Sequence, residues 1–113
     1  MAIANEFVRF ITDDLLGEIP DIRSRAMFGG WGIYAGKIMF GIVVDGELYF
    51  KVCDDTFEYK AIGSSPFVYK RKDGKKITMS YWKISEDILE NREQLIFLAH
   101  GALRAAEKKR KTD

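Results

Sequence analysis

Apolar and polar positions alternate with a helical period at the start of the chain. Ile3, Phe7, Ile11 and Leu15 recur every fourth residue with Phe10 beside them, which predicts an amphipathic helix over residues 3–16. Asp14 falls inside that stripe. It reads either as a helix end where the stripe has drifted, or as a half-buried carboxylate paired with Arg23 or Arg25. Gly17 and Pro20 close the helix. From Ile22 to Val52 the period becomes that of strands, punctuated by Ala35-Gly36 and Asp45-Gly46. A two-residue Asp-Gly loop between apolar runs signals a hairpin, because a type I′ turn needs positive φ at both positions. Segments 31–34, 37–44 and 47–52 are therefore expected as a meander, preceded by 22–28.

The pattern then returns to helix over 54–62, with Asp55 as cap, Glu58 three residues on and Gly63 as the stop. Segments 66–72 and 75–82 make a second hairpin around Asp73-Gly74. Ser85 starts a short helical turn, and Asn91 caps a longer helix with Gln94 at the reciprocal position. Leu95, Leu98, Ala99, Ala102, Leu103 and Ala106 form the apolar face of that helix. The expected class is α+β, as a single domain over residues 1–113 whose basic stretch 104–113 frays.

Turn lengths set register, and register sets which side chains share a face. Two-residue loops at Asp45-Gly46 and Ala35-Gly36 put Gly30, Gly32, Tyr34, Met39, Gly41, Val43, Leu48, Phe50 and Val52 on one face. Trp31, Ile33, Ile38, Phe40, Ile42, Tyr49 and Lys51 take the other. In the second hairpin Val68, Ile77, Met79 and Tyr81 share one face, and Phe67, Tyr69, Thr78, Ser80 and Trp82 the opposite one. Both faces of the meander are apolar, so either helices sit on each side or a partner chain covers the remainder. At the hairpin tip the same rule sets Lys72 opposite Lys75 and Arg71 opposite Lys76. That cluster reads as a grip for an anion or as a solvated tip that deters edge pairing.

Composition narrows the chemistry. With 113 residues the chain is long enough for one core without staples. Its net charge of +1 is unlike that of a globally basic nucleic-acid binder, although residues 104–113 hold five basic and two acidic side chains. The one cysteine, Cys53, has no internal disulfide partner, and the lone His100 cannot build a metal site, so no metal and no cofactor are expected. The N-terminus lacks the h-region of a signal peptide, no apolar run approaches a membrane span, and a cytoplasmic location is the default. Residues 27–41, MFGGWGIYAGKIMFG, carry five glycines but match neither GxGxxG nor GxxxxGK[ST], and they precede a strand. Gly30, Gly32 and Gly41 then read as a flat trough for a close-packed helix, and Gly29 as a bend. No carboxylate pair and no hydroxyl with a plausible base stands out, so no enzyme is expected and no catalytic residue is assigned. Phe97 lies opposite the apolar stripe of the last helix, flanked by Glu93, His100 and Arg104, and marks either a contact or chance exposure.

The stretch Arg25-Ala-Met27-Phe28-Gly29-Gly30-Trp-Gly32-Ile-Tyr34 resembles the signature of the TfoX N-terminal domain family. The likeness continues through Met39-Phe40, Leu48-Tyr49-Phe50-Lys51, Gly63-Ser-Ser-Pro66-Phe67-Val-Tyr69 and Met79-Ser80-Tyr81-Trp82, covering roughly residues 7–106. The resemblance implies a curved antiparallel sheet, built here from the meander plus the second hairpin, with N-terminal and C-terminal helices packed on it. It also implies a link to bacterial regulators of natural competence, which act with a cyclic-AMP-responsive transcription factor and carry a second, helical C-terminal domain. No segment here corresponds to that second domain, so the expectation is a stand-alone member. The family offers no catalytic residues to carry over.

Three functions are weighed on this basis. The first is a regulatory or protein-interaction module whose partner is another protein, such as a transcription factor, or a second copy in a homodimer. Its contacts are Trp31, Tyr49, Lys51, Tyr69 and Trp82 on the sheet, or Phe97 on the last helix. The second is a nucleic-acid-associated domain using Lys70, Arg71, Lys72, Lys75 and Lys76 with the basic tail. The third is a small-molecule-binding domain using Phe67, Tyr69, Ser80 and Trp82.

Overall fold

A computed structural model describes residues 2–27, 29–52 and 63–112. Cys53 and the helix expected over 54–62 lie outside them. The N-terminal stripe forms helix α1 (Ala2–Arg9), which widens into a π-helical turn over Phe10–Leu15. Thr12 donates its hydroxyl to the Val8 carbonyl at 3.1 Å, and the Leu16 N–H reaches back five residues to Ile11 at 2.8 Å. The wider turn rotates the side chains that follow it. Val8, Ile11, Leu15 and Leu16 are buried, while Phe10 is 44% exposed, so the every-fourth stripe misplaces Phe10 and omits Val8 and Leu16. Asp14 is exposed, as at a drifting helix end, and Arg23 instead gives its Nε–H to the Gly36 carbonyl at 2.9 Å.

Six strands follow: β1 (Ile22–Met27), β2 (Gly30–Ala35), β3 (Ile38–Val44), β4 (Glu47–Lys51), β5 (Pro66–Lys70) and β6 (Lys76–Ile84). They form one antiparallel sheet in the order β1-β2-β3-β4-β6-β5, a meander with the second hairpin attached through β6. The short helix α2 (Glu86–Leu89) is capped by Ser85, and Asn91 caps α3 (Arg92–Thr112) by accepting from the Gln94 N–H at 3.2 Å. The basic stretch expected to fray is carried as helix to Thr112.

Turn chemistry decides the register. Asp45 and Gly46 have φ of 53° and 75°, the type I′ pattern, and pair Val44 with Glu47 as expected. The first turn is Gly36-Lys37 and not Ala35-Gly36, because Ala35 pairs with Ile38. A β-bulge then shifts the register between Ile33 and Tyr34, so that Tyr34 faces Met39 while Ile33 faces Gly41. The extra residue, Phe40, turns into the core with Gly41. The strict alternation expected for β3 fails at that point. Trp31, Ile33, Ile38 and Phe40 share the core face with Gly41, Val43, Leu48, Phe50 and Val52. Gly32, Tyr34, Met39, Ile42, Tyr49 and Lys51 take the opposite face.

The second hairpin is also shifted. Arg71 N–H bonds to the Lys75 carbonyl at 2.8 Å, Lys70 pairs with Lys76, and Gly74 sits at φ 90°. The loop is therefore three residues, Lys72-Asp73-Gly74, with Asp73 accepting from the Lys75 N–H at 3.0 Å. Like charges do face each other across this hairpin, but the pairs are Lys70–Lys76 and Arg71–Lys75 rather than Lys72–Lys75 and Arg71–Lys76. The shift moves Tyr69 to the face of Ile77, Met79 and Tyr81, and a second bulge between Pro66 and Val68 brings Phe67 there too.

All the described helices cover one face of the sheet. Val8, Ile11 and Leu16 from the N-terminal segment meet Ile33, Phe40, Leu48 and Phe50 from the sheet, and Leu95, Ala99 and Ala102 from α3. The Phe40 and Phe50 rings lie 5.9 Å apart at 40°. Helix α3 lies across β3 and β4, where its small residues allow close approach.

Candidate functional site

The face away from the helices is the one that carries unexplained apolar surface. Met27, Met39, Ile42, Val44, Phe67, Tyr69, Met79 and Tyr81 line a basin of about 530 Å³ on it, bordered by Trp31. Met27 belongs to β1 and Tyr69 to β5, the two outermost strands of the six. In a flat sheet those strands would stand about 24 Å apart, too far to line one basin of this size. The sheet therefore curls, concave towards the open side. This antiparallel sheet with N-terminal and C-terminal helices packed on it agrees with the fold expected from the sequence; that the described helices share one face is new.

The floor of the basin is set by Gly32. A Cβ there would come within 2.9 Å of the sulfurs of Met27 and Met39 and of the Tyr34 ring, so these side chains occupy the space the glycine leaves. A helix does not press into that trough, contrary to expectation. Gly32 is on the open face, whereas Gly41 is on the helix-covered face beside Ile33 and Phe50. A Cβ added at Gly30 would press on the Val43 carbonyl oxygen, and Gly29, at φ 74°, is a bend residue as expected.

Tyr34, Tyr49, Tyr69 and Tyr81 bring phenol hydroxyls to this face. Tyr81 is only 7% exposed, and burial, helped by neighbouring Tyr34, pushes its hydroxyl up to about 12. Tyr49 packs edge-on against Phe67 with centroids 5.1 Å apart, and burial first, then the Glu47 carboxylate, raises its hydroxyl above the ordinary value. The Lys51 ammonium lies 5.2 Å over the Tyr81 ring and donates to the Ser80 hydroxyl at 2.6 Å. The Arg23 guanidinium lies 5.9 Å over the Tyr34 ring. Arg25 is directly across from Gly32, on the basin side of β1. Among the described residues, no group of three or more His, Cys, Asp or Glu could hold a metal ion.

The structure divides the residues singled out from the sequence. Tyr49, Lys51 and Tyr69 come together on the open face. Trp31 and Trp82 pack against the core on the helix-covered side, and Phe97, 57% exposed, is on the outer side of α3. The set Phe67, Tyr69, Ser80 and Trp82 is split, since Trp82 faces the core while Phe67 and Tyr69 line the basin. Lys70, Arg71, Lys72, Lys75 and Lys76 are all exposed at one hairpin tip, with Arg71 paired to Asp73 at 3.3 Å. Sequence reasoning missed Met27, Met39, Ile42 and Tyr81 as members of one site. The signal available was three of the chain's four methionines sitting in strands.

Comparison with known proteins bears on this arrangement. The chain is similar to Protein Sxy of Escherichia coli (strain K12), with 27% identity over 101 residues. That alignment covers 89% of this chain and 48% of Protein Sxy, so the chain spans about half the length of this relative. The TfoX N-terminal domain family matches residues 14–106, from the π-helical turn through most of α3. A match over that span takes in every strand of the sheet, α2 and most of α3, and the chain belongs to the TfoX N-terminal domain family.

Proposed function

We propose that this domain is a regulatory module that acts by contact with another protein rather than by catalysis, in the cytoplasm and in competence-type transcription control. The observation that carries it is the six-strand sheet covered by the described helices on one face, with Tyr69, Ile77 and Met79 exposed together on the other face of the β5–β6 hairpin. Contiguous exposed apolar surface of this kind marks interaction sites in soluble proteins. Membership of the TfoX N-terminal domain family supports a regulatory role, and a transcription factor is the partner we propose. Among the described residues, no helix is long and apolar enough to cross a membrane.

The test is capture from native lysate by the tagged domain. Wild type is compared with Ile77→Asp and Phe97→Ala, each first checked by thermal melting. Loss of a specific partner in one folded variant supports the reading and locates the contact. Retention of the same proteins by both variants refutes it. Light scattering separates the version in which the partner is a second copy. A second reading, nucleic-acid association, is favoured by the five exposed basic residues at the hairpin tip. Binding through several phosphates must weaken steeply with salt, so the absence of salt-dependent binding to labelled duplex or single-stranded DNA at low ionic strength refutes it.

A further inference from the structure

We propose that the concave face of the sheet is a binding site for a small amphipathic carboxylate, its acyl or aryl body in the basin and its anionic head on the arginines of β1. This goes beyond the protein-contact reading and does not depend on it. The basin, about 530 Å³, falls in the size range of small-molecule sites, about 300–1,000 Å³. Its lining is apolar in kind as well as in area. Met27, Met39 and Met79 offer flexible, polarizable thioethers that adapt to an unbranched or planar body. Phe67, Tyr69 and Tyr81 supply flat walls.

The β1 side of that lining carries two arginines, Arg23 and Arg25. Among the described residues no charged side chain lines the basin, and Arg23 and Arg25 adjoin it through Tyr34 and Gly32 respectively. The acidic residue of β4, Glu47, is held by Lys83 at 3.3 Å. Tyr81 keeps its proton at neutral pH and can donate its hydroxyl to an anionic head. An arginine fork beside an apolar cup matches a carboxylate on an apolar chain and repels an ammonium on the same chain. A second copy fits less well. Two concave faces brought together about a two-fold axis would leave both basins unfilled and gather arginines and lysines against one another.

Calorimetry with dodecanoate below its micelle concentration tests this on the full chain. The expected result is one dodecanoate per chain, no heat with acetate, and binding at least about tenfold weaker for dodecyltrimethylammonium, which has a similar tail and the opposite charge. Arg25→Glu, at an exposed position, should weaken dodecanoate about tenfold. Met79→Glu, at the half-exposed margin of the basin, should abolish binding while the thermal melt stays cooperative. The proposal is overturned if dodecanoate does not bind, if several bind per chain, if the ammonium binds equally well, or if Met79→Glu leaves affinity unchanged. It is also overturned if the chain is a dimer that Met79→Glu dissociates and dodecanoate does not disturb, for the face is then a self-contact. Failure in any of these ways leaves the lysate capture by Ile77→Asp and Phe97→Ala untouched, so the two readings fall separately.

Discussion

Two glycines, two residues apart in β2, should respond differently to the same added methyl group. At Gly30 the new Cβ would sit well inside contact distance of the Val43 carbonyl oxygen. That oxygen is backbone, so it can withdraw only if β2 and β3 part at this end of their ladder. At Gly32 the new Cβ would meet the sulfurs of Met27 and Met39 and the edge of Tyr34, each at 2.9 Å. Those atoms are the far ends of side chains that border an open basin, so they have room to swing away. Overpacking against an unyielding neighbour costs about 1–3 kcal/mol, and the backbone contact at Gly30 should reach the upper end. Displacing a methionine from its rotamer costs about 0.5–1.5 kcal/mol. Both changes regain about 0.4–1 kcal/mol by restricting the unfolded chain. Gly30→Ala should therefore destabilise by about 2 kcal/mol more than Gly32→Ala. At about 2.1 cal/mol/K of unfolding entropy per residue, that difference is about 8 °C in Tm for this chain. Differential scanning calorimetry of the two variants beside wild type measures it. Equal melting temperatures would show that the backbone approach at Gly30 is not the constraint described, and the reasoning would fail. Gly32→Val extends the comparison: its larger side chain should displace Met27 and Met39 outright, costing about 1–3 kcal/mol and closing the basin.

Two further outcomes follow from the core and from the tyrosines. Phe40→Ala removes a fully buried ring packed on Phe50, and should destabilise by about 3–5 kcal/mol in urea unfolding; a loss below about 1 kcal/mol would show that the bulge does not drive Phe40 into the core. The Tyr81 hydroxyl, raised in the folded state to about 12, contributes stability that is fully present below the unfolded tyrosine value of about 10 and is lost as pH rises through the folded value. An alkaline absorbance titration should thus show a late tyrosinate step that Tyr81→Phe deletes, and a titration unchanged by that substitution would refute the burial argument.

The elements themselves were legible because each is written in local chemistry. Asp45-Gly46 can make a tight hairpin with no help from the rest of the chain, and Ser85 and Asn91 cap helices through side chains that reach only three residues on. The apolar stripe of α3 could be read from its period, with Leu95, Leu98, Ala99 and Ala102 all buried and Phe97 exposed opposite them. The antiparallel meander with an added hairpin, and its likeness to the TfoX N-terminal domain family, were readable for the same reason.

What the linear pattern could not decide was which face each residue takes once a single residue is inserted. Strand side chains have a period of two, so one bulge inverts everything beyond it. The bulge at Phe40 merges two sets that looked like opposite faces into one core, Ile33 and Phe40 with Val43, Leu48 and Phe50. The third residue in the Lys72-Asp73-Gly74 loop moves Tyr69 from the side of Trp82 to that of Met79 and Tyr81. Both insertions depend on long-range pairing and packing, which no turn dipeptide encodes. The basin is a further step removed, since Met27 and Tyr69 are brought to it from opposite edges by the curl of the whole sheet. The sequence by itself determined the described helices, the strands and the glycines that permit close approach; the tertiary structure decided that the apolar surplus lies on one concave face, because only closed register and sheet curvature can gather it there.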